Sequence, residues 1–262
     1  MSNYVVSDTN LTAVANAIRT KGGTSATLSF PDGFVAAIGD IQTGGGGGTD
    51  TLAALEANTL TTWTSTATTV ALYLFQDKTA LTSVSYPNAT EIKHYAFNRC
   101  TGLVSALFPN VTTIGTSAFS ACSSLTTVNA PKVTTINGTG FKECTSLVEV
   151  EFPALTSLPY ADAFKGCTKL EYADLGFCTY LANNTFYGDT KLKTLIIRTT
   201  SGVATLNNIN VFNNSPFASG KSGGTLYVPE DLISSYQSAN NWRTILGYAN
   251  NQIKKIEGSI YE

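Results

Sequence analysis

The chain has little charge. Sixteen Lys and Arg stand against 18 Asp and Glu in 262 residues, for a net charge of −2. With 13% charged residues and no basic stripe, nothing is present to track a phosphate backbone, so a nucleic-acid partner is not expected. Histidine is nearly absent. His94 is the only one, so the many serines have at most a single histidine to serve as base, and it is read as a surface turn residue. No run of 18 apolar residues occurs, so no membrane-spanning helix is expected. The opening Met1-Ser2-Asn3-Tyr4 does not join a basic segment to an apolar stretch. A secretory leader is thus not expected, and the protein is read as made and folded in a cytosol. The polarity that remains comes from Thr, Ser, Asn and Gly, the surface of an extracellular or virion-type β-protein.

What the chain does have is a period. Phe75, Phe97, Phe119, Phe141, Phe164 and Phe186 recur at intervals of 22, 22, 22, 23 and 22 residues. Six residues after each comes a leucine: Leu81, Leu103, Leu125, Leu147, Leu170 and Leu192. Two ladders locked to one period define a repeat solenoid, in which like positions of successive coils stack. Within a coil, Leu125-x-x-Val128-x-Ala130-Pro131 reads as a short strand with inward residues at 0, +3 and +5, ended by a proline that cannot donate to a ladder. Ala118-Phe119 opens a turn or 3₁₀ segment, and Val133 with Ile136 closes the coil.

Five cysteines invite a disulfide or metal reading. Four of them, Cys100, Cys122, Cys144 and Cys167, sit three residues after a repeat Phe and form one more column. A column stepped by about 4.8 Å per coil cannot converge on a tetrahedral zinc. The odd count favours buried, reduced thiols over bridges. No metal or cofactor is expected. A Thr column, Thr90, Thr112, Thr134, Thr156 and Thr179, suits cross-coil hydroxyl hydrogen bonds.

The regular coils sit between flanking units. Residues 1–43 read as a small helical attachment unit, with Leu11, Val14, Ala15 and Ile18 at helical spacing. Gly44–Gly48 is a flexible tether. Residues 49–73 form an N-terminal cap in which Thr68 and Val70 already match the repeat phase. The solenoid runs over 74–228 and is expected to be irregular from about 199, with Val203–Gly224 a loop or irregular turn. Residues 229–262 form a C-terminal cap carrying Tyr236, Trp242 and Ile245.

The unit Ala-Phe-x-x-Cys-x-x-Leu-x-x-Val-x-x-Pro-x-Val-Thr-x-Ile-Gly, matched closely over 96–115 and 118–137, resembles the BspA-like, or Treponema-type, leucine-rich repeat. Gly176 and Arg198 depart from it, each standing where proline is expected. The resemblance implies a right-handed leucine-rich solenoid of about 22 residues per coil, found in surface-exposed, often adhesive proteins with no fixed catalytic residues. A second stretch, Asp8-Thr9-Asn10-Leu11 through Arg19, then Gly22-Gly23 and Phe30-Pro31-Asp32-Gly33-Phe34, looks like the opening of phage and prophage tail-associated proteins of Gram-positive gut bacteria. It implies a place on a virion tail, with phage tail proteins as partners of residues 1–43.

The candidate site lies on the outward strand positions. Small Ser and Thr give way there to Glu149, Glu151, Glu171, Tyr172 and Asp174. Carboxylates beside an exposed ring suit sugar hydroxyls, a cation or a basic partner. The patch is read as the contact with a host cell-surface glycan or protein; a plain solvated face is the bland alternative. Paired acids also admit glycoside hydrolysis, but a flat strand face offers no cleft. The functional expectation is therefore a non-enzymatic binding protein on a phage tail. A bacterial cell-surface adhesin and a carbohydrate-active enzyme are the other readings.

Overall fold

The computed structural model describes residues 54–246 and 252–257. The expected attachment unit, the glycine tether and the first residues of the N-terminal cap lie outside them. Each early coil contributes a three-residue strand and a two-residue strand. These are β1 (Thr62–Thr64) and β2 (Thr69–Val70), β3 (Ser83–Ser85) and β4 (Glu91–Ile92), β5 (Ser105–Leu107) and β6 (Thr113–Ile114), and β7 (Thr127–Asn129) and β8 (Thr135–Ile136). Then come β9 (Glu149–Glu151), β10 (Tyr172–Asp174), β11 (Tyr180–Leu181), β12 (Thr194–Ile196), β13 (Thr205–Leu206) and β14 (Thr225–Val228). Helices α1 (Ile233–Ser238) and α2 (Asn240–Leu246) and strand β15 (Ile253–Lys255) close the described chain.

All strand pairs are parallel and keep like repeat positions in register, as in Ser105↔Thr127 and Tyr172↔Thr194. The longer strands form two sheets, β1-β3-β5-β7 and β9-β10-β12-β14-β15. The shorter ones form β2-β4-β6-β8 and β11-β13. The fold is the expected β-solenoid of about 22 residues per coil, with few and small helices.

The core is a stack of rings. Phe75, Phe97, Phe119, Phe141, Phe164 and Phe186 are fully buried, and consecutive rings stack at 5.1–5.4 Å. Two left-handed residues hold each ring in place. Tyr73, Tyr95, Ser117, Thr139, Asp162 and Asn184, two before the Phe, have φ between 54° and 66°. Asp77, Arg99, Ala121 and Glu143, two after it, have φ near 60°. A non-glycine residue in this region costs roughly 1–2 kcal/mol. The offset is visible in the hydrogen bonds: the twist turns the N–H along the stack, so that Tyr95 donates to the Thr116 carbonyl and Arg99 to that of Ser120. The Phe N–H groups do the same, Phe97 to Ala118 and Phe119 to Gly140. The turn is therefore bonded to the next coil as well as within itself, where the Asn98 N–H meets the Tyr95 carbonyl and the Cys100 N–H that of Phe97.

The Thr column bonds as the sequence suggests: Thr112 Oγ1 donates to the Thr90 carbonyl and Thr134 Oγ1 to that of Thr112, both at 3.2 Å. All five cysteines are free and buried. The laddered thiols donate across coils to phenylalanine carbonyls, from Cys100 to Phe75 at 2.8 Å through Cys167 to Phe141 at 3.1 Å. The column then changes chemistry. Its next member is Asp189, fully buried, whose Oδ1 accepts the Cys167 N–H at 2.8 Å. Burial pushes the Asp189 carboxyl well above its usual range, against the backbone N–H groups that pull it down.

The segment expected to be irregular keeps the solenoid plan. β13 pairs with β11, and the 3₁₀ turn Ile209–Phe212 delivers Phe212 onto Phe186 at 5.6 Å with planes 5° apart. The aromatic ladder thus has one more member, hidden from a 22-residue count because its gap is 26 residues. The C-terminal cap then seals the ring stack. Trp242 packs on Phe212, its Nε1 donates to the Ala204 carbonyl at 2.6 Å, and Tyr236 accepts the Ala204 N–H at 2.9 Å. Both Ala204 backbone groups, which have no following coil to pair with, are satisfied by cap side chains.

Because every ring is shared by two neighbours, truncation inside the stack is expected to be costly. Phe141→Ala should lose roughly 3–5 kcal/mol and Leu147→Ala roughly 2–5 kcal/mol in urea melts. Thr127→Ala, on an exposed strand position, should stay within about 0.5 kcal/mol. Equal effects at the three positions would mean the register is misassigned.

Candidate functional site

The candidate patch falls on the five-stranded sheet. The register places Glu149 beside Tyr172 and Glu151 beside Asp174. The outward row then runs through Ile196 and Tyr227 to Lys254 on β15. Glu149 and Glu151 are exposed and Tyr172 is half-buried, so these three share one open surface. Burial raises the Tyr172 phenol above its ordinary pKa, with the Asp174 and Glu151 carboxylates next in effect and Arg198 opposing them.

Two of the expected site residues stand apart. Glu171 is held by Lys193 of the next coil, Oε2 to Nζ at 3.0 Å, and this hydrogen bond first, with the ammonium charge behind it, lowers its carboxyl. Asp174, expected to point outward, is not a solvent-facing acid. It is 5% exposed, and its Oδ1 accepts from both the Arg198 guanidinium and the Gly176 N–H, the latter at 2.9 Å. Arg198 is itself only 7% exposed. Strand alternation points Asp174 outward, but the chain folds back over it. The two positions where the repeat loses its proline are the two that make this possible. Gly176 has φ +52°, and a Cβ there would lie 2.3 Å from the Pro153 carbonyl oxygen. Arg198 reaches back to Asp174 from the neighbouring coil. Ile196, the register partner of Asp174 on β12, is buried in the same region.

Beside the acids lies a feature that single-strand alternation could not assemble. A trough of about 710 Å³ crosses β10, β12, β14 and β15, with Tyr172, Thr194, Ile196 and Tyr227 along its floor. Ile233 from α1 and Lys254 and Lys255 from β15 edge its far end, together with Glu257. Tyr227 was not among the expected site residues, although it stands at an outward position of β14. Nor was Lys254, because only the tertiary pairing of β15 with β14 brings it there.

Chemistry elsewhere is sparse. His94 is exposed, and its Nδ1 accepts the Thr116 N–H at 2.7 Å, a turn contact. Among the described residues no three His, Cys, Asp or Glu side chains cluster as a metal site would need. No described helix is long and apolar enough to cross a membrane.

Stacked parallel strands, an aromatic core ladder and one leucine per coil define a leucine-rich-repeat solenoid. The family described as the BspA type leucine rich repeat region matches in six copies over residues 68–193 and 112–239, and the chain belongs to it. Among solved structures, a leucine-rich repeat protein from Eubacterium ventriosum is 26% identical with a TM-score of 0.53, over 60% of this chain and 43% of that one. The chain thus spans less than half of that relative's length. A T. pallidum leucine-rich repeat protein is 21% identical over 72% of this chain and 78% of its own, with a TM-score of 0.45. A leucine-rich cell surface protein from Faecalibacterium prausnitzii is 16% identical over 77% of this chain and 80% of its own, with a TM-score of 0.39. No curated protein matches the chain.

Proposed function

We propose that this chain is a non-enzymatic binding protein that presents the outer face of its five-stranded sheet to a host cell-surface glycan or protein. In this reading residues 1–43 attach it to the tail of a phage particle. The observation that carries the binding reading is the trough beside Glu149 and Glu151, where two tyrosines stand half-buried on the outward strand face. Tyrosine offers a large apolar area with a polar tip, the combination enriched at interfaces. The likeness of residues 8–34 to tail-associated proteins supports the virion placement. A bacterial cell-surface adhesin would use the same face.

The full chain, labelled with a fluorophore, should bind intact Gram-positive gut bacteria of the producing niche. The Glu149→Ala, Glu151→Ala, Tyr172→Ala variant should lose at least tenfold of that binding while melting like the wild type. Asp174 is left intact in this variant because it is structural. Wild-type binding by the variant would move the contact off this face, and failure of the wild-type chain to bind any such cell surface would remove the host-contact reading. On particles, antibody against the repeats should label the tail; label confined to the bacterial envelope would favour the adhesin.

A further inference from the structure

The longer strands pair from coil to coil along the described solenoid, with one exception. β7 and β9 are not paired, and the sheet divides between them. At the junctions on either side the strand ends are tied across coils. The Thr126 N–H donates to the Val104 carbonyl and the Glu171 N–H to that of Val148; at the opposite end the Phe108 N–H donates to Asn129 and the Phe152 N–H to Asp174. Between β7 and β9 the corresponding donors are Val148 and Ala130, and neither N–H has an acceptor among the described residues. Val128, at the centre of β7, is half-buried, whereas its counterparts Ala106 and Val150 are only 4% and 2% exposed. The two strands stand apart.

The residues at this seam account for it. The inward position filled by Phe108 one coil before and by Phe152 one coil after holds Ala130 here, so little side chain lies behind the gap. On the short-strand side, the Gly115 and Asn137 N–H groups donate to the Ile92 and Ile114 carbonyls. Pro159 is next in that series and has no N–H to offer the Ile136 carbonyl. What remains there is the Thr156 N–H on the Thr134 carbonyl at 3.1 Å and a lone bridge, Thr135 with Ser157. The turn side stays closed. Phe119 and Phe141 stack at 5.1 Å, and the Phe119 and Ala121 N–H groups donate to Gly140 and Lys142 at 2.8 and 2.7 Å.

We propose that this seam is a hinge: the coils before Gly140 and the coils after it are two stiff arms that pivot on the Phe119–Phe141 turn, opening and closing the gap between β7 and β9. The Ala130 N–H drives closure. Ala130 is fully buried, and an interior N–H without an acceptor is costly. Closing brings it to the Glu151 carbonyl, as the Phe108 N–H already meets that of Asn129. Opening is permitted because no large side chain fills the space behind Ala130 and no N–H ties Ile136 across the seam. The turn bonds hold the two coils in register, so the arms bend rather than slide. Glu149 and Glu151 stand on one lip of the gap and Thr127 and Asn129 on the other. The hinge therefore sets how far the acidic patch lies from the hydroxyl-bearing strands of the first arm. It stands whether or not that patch contacts a host.

Paired spin labels on the full chain test this. Labels at Ser83→Cys and Tyr172→Cys lie four strand-to-strand steps apart across the seam, and labels at Glu151→Cys and Lys254→Cys lie four steps apart within the second arm. Both separations are about 19 Å, and the native thiols are buried away from the label. The distance distribution across the seam is expected to be about twice as broad as the one within the arm. Residue-resolved hydrogen exchange should find the Ala130 and Val148 amides about a hundredfold faster than those of Phe108 and Val104, with Phe119 and Ala121 as slow as the latter. Pro159→Ala supplies a donor for the Ile136 carbonyl and should narrow the distribution across the seam. Equal widths for the two pairs, Ala130 and Val148 amides as slow as their counterparts, or a width that Pro159→Ala leaves unchanged overturns the hinge.

Discussion

Raising the pH from 8 to about 10.5 is expected to unfold the solenoid as its five buried thiols ionise together. Burial pushes the Cys100 and Cys178 thiols up to about 12, and the Cys122, Cys144 and Cys167 thiols well above their ordinary range. In each ladder position the thiol also donates to a phenylalanine carbonyl, a bond that the thiolate cannot make. Unfolded thiols titrate near about 8.5. The folded values lie higher, so the stability these groups leave intact is fully present below about pH 8.5 and is lost as pH climbs toward the folded values. Each thiol contributes a slope of about 1.4 kcal/mol per pH unit in that window, and five acting together contribute about 7 kcal/mol per pH unit. A folded domain holds about 5–15 kcal/mol, so about two units suffice. The Tyr236 phenol, raised to about 12 chiefly by burial and tied to Ala204, adds to the loss at the upper end.

Melting curves by circular dichroism at pH 8, 9, 10 and 10.5, with thiol titration alongside, measure this. At pH 8 the native protein should leave its thiols unreacted and release five after denaturation without reductant. Cys122→Ala should flatten the alkaline decline by about a fifth, since one of five slopes is removed. A melting temperature that does not change between pH 8 and 10, or reaction of the native thiols at pH 8, would show that the column is not sealed from solvent.

What could be read from the residues divides along a physical line. The ring and leucine ladders were legible because a stacked coil forces like residues onto like positions, which leaves a period in the chain. The paired strands followed from proline and alternation. Phe212 occupies the same stack but was invisible to the period, since extra residues after Arg198 stretch its gap while the ring still finds Phe186. The acids at Glu149 and Glu151 and the ring of Tyr172 were legible because outward positions alternate on a strand. Asp174 obeyed the same alternation and was misplaced by it. Whether an outward position reaches solvent depends on what another coil lays over it, and Arg198 lies 24 residues away. The far half of the trough was illegible for the same reason: Lys254 arrives by pairing across a cap, and no local pattern announces parallel pairing at long range.

Asp174 therefore offers the sharpest separation between holding the face together and serving as its contact. Asp174→Ala is expected to destabilise the protein by about 3–5 kcal/mol, because it leaves the buried Arg198 guanidinium without its counter-charge. Arg198 can absorb none of that loss, since its Nε already has no hydrogen-bond partner in the structure. The same change strips the acceptor from the Gly176 N–H, in a backbone already held at φ +52° against Pro153. Glu149→Ala and Glu151→Ala, at exposed positions of the neighbouring strand, should change stability by no more than about 0.5 kcal/mol. Asp174→Asn keeps an acceptor for Gly176 but not the charge, and should fall between. The double change Asp174→Leu, Arg198→Met removes both charges at once and should recover most of the loss, since apolar side chains of similar volume replace a buried ion pair at little cost. Urea melts of the five proteins decide the matter. If Asp174→Ala costs no more than Glu151→Ala, the carboxylate is solvated and belongs with the binding acids. If it costs several kcal/mol and the double change restores it, then Asp174 and Arg198 form the footing under Tyr172, and the contact chemistry rests with Glu149, Glu151 and the two tyrosines of the trough.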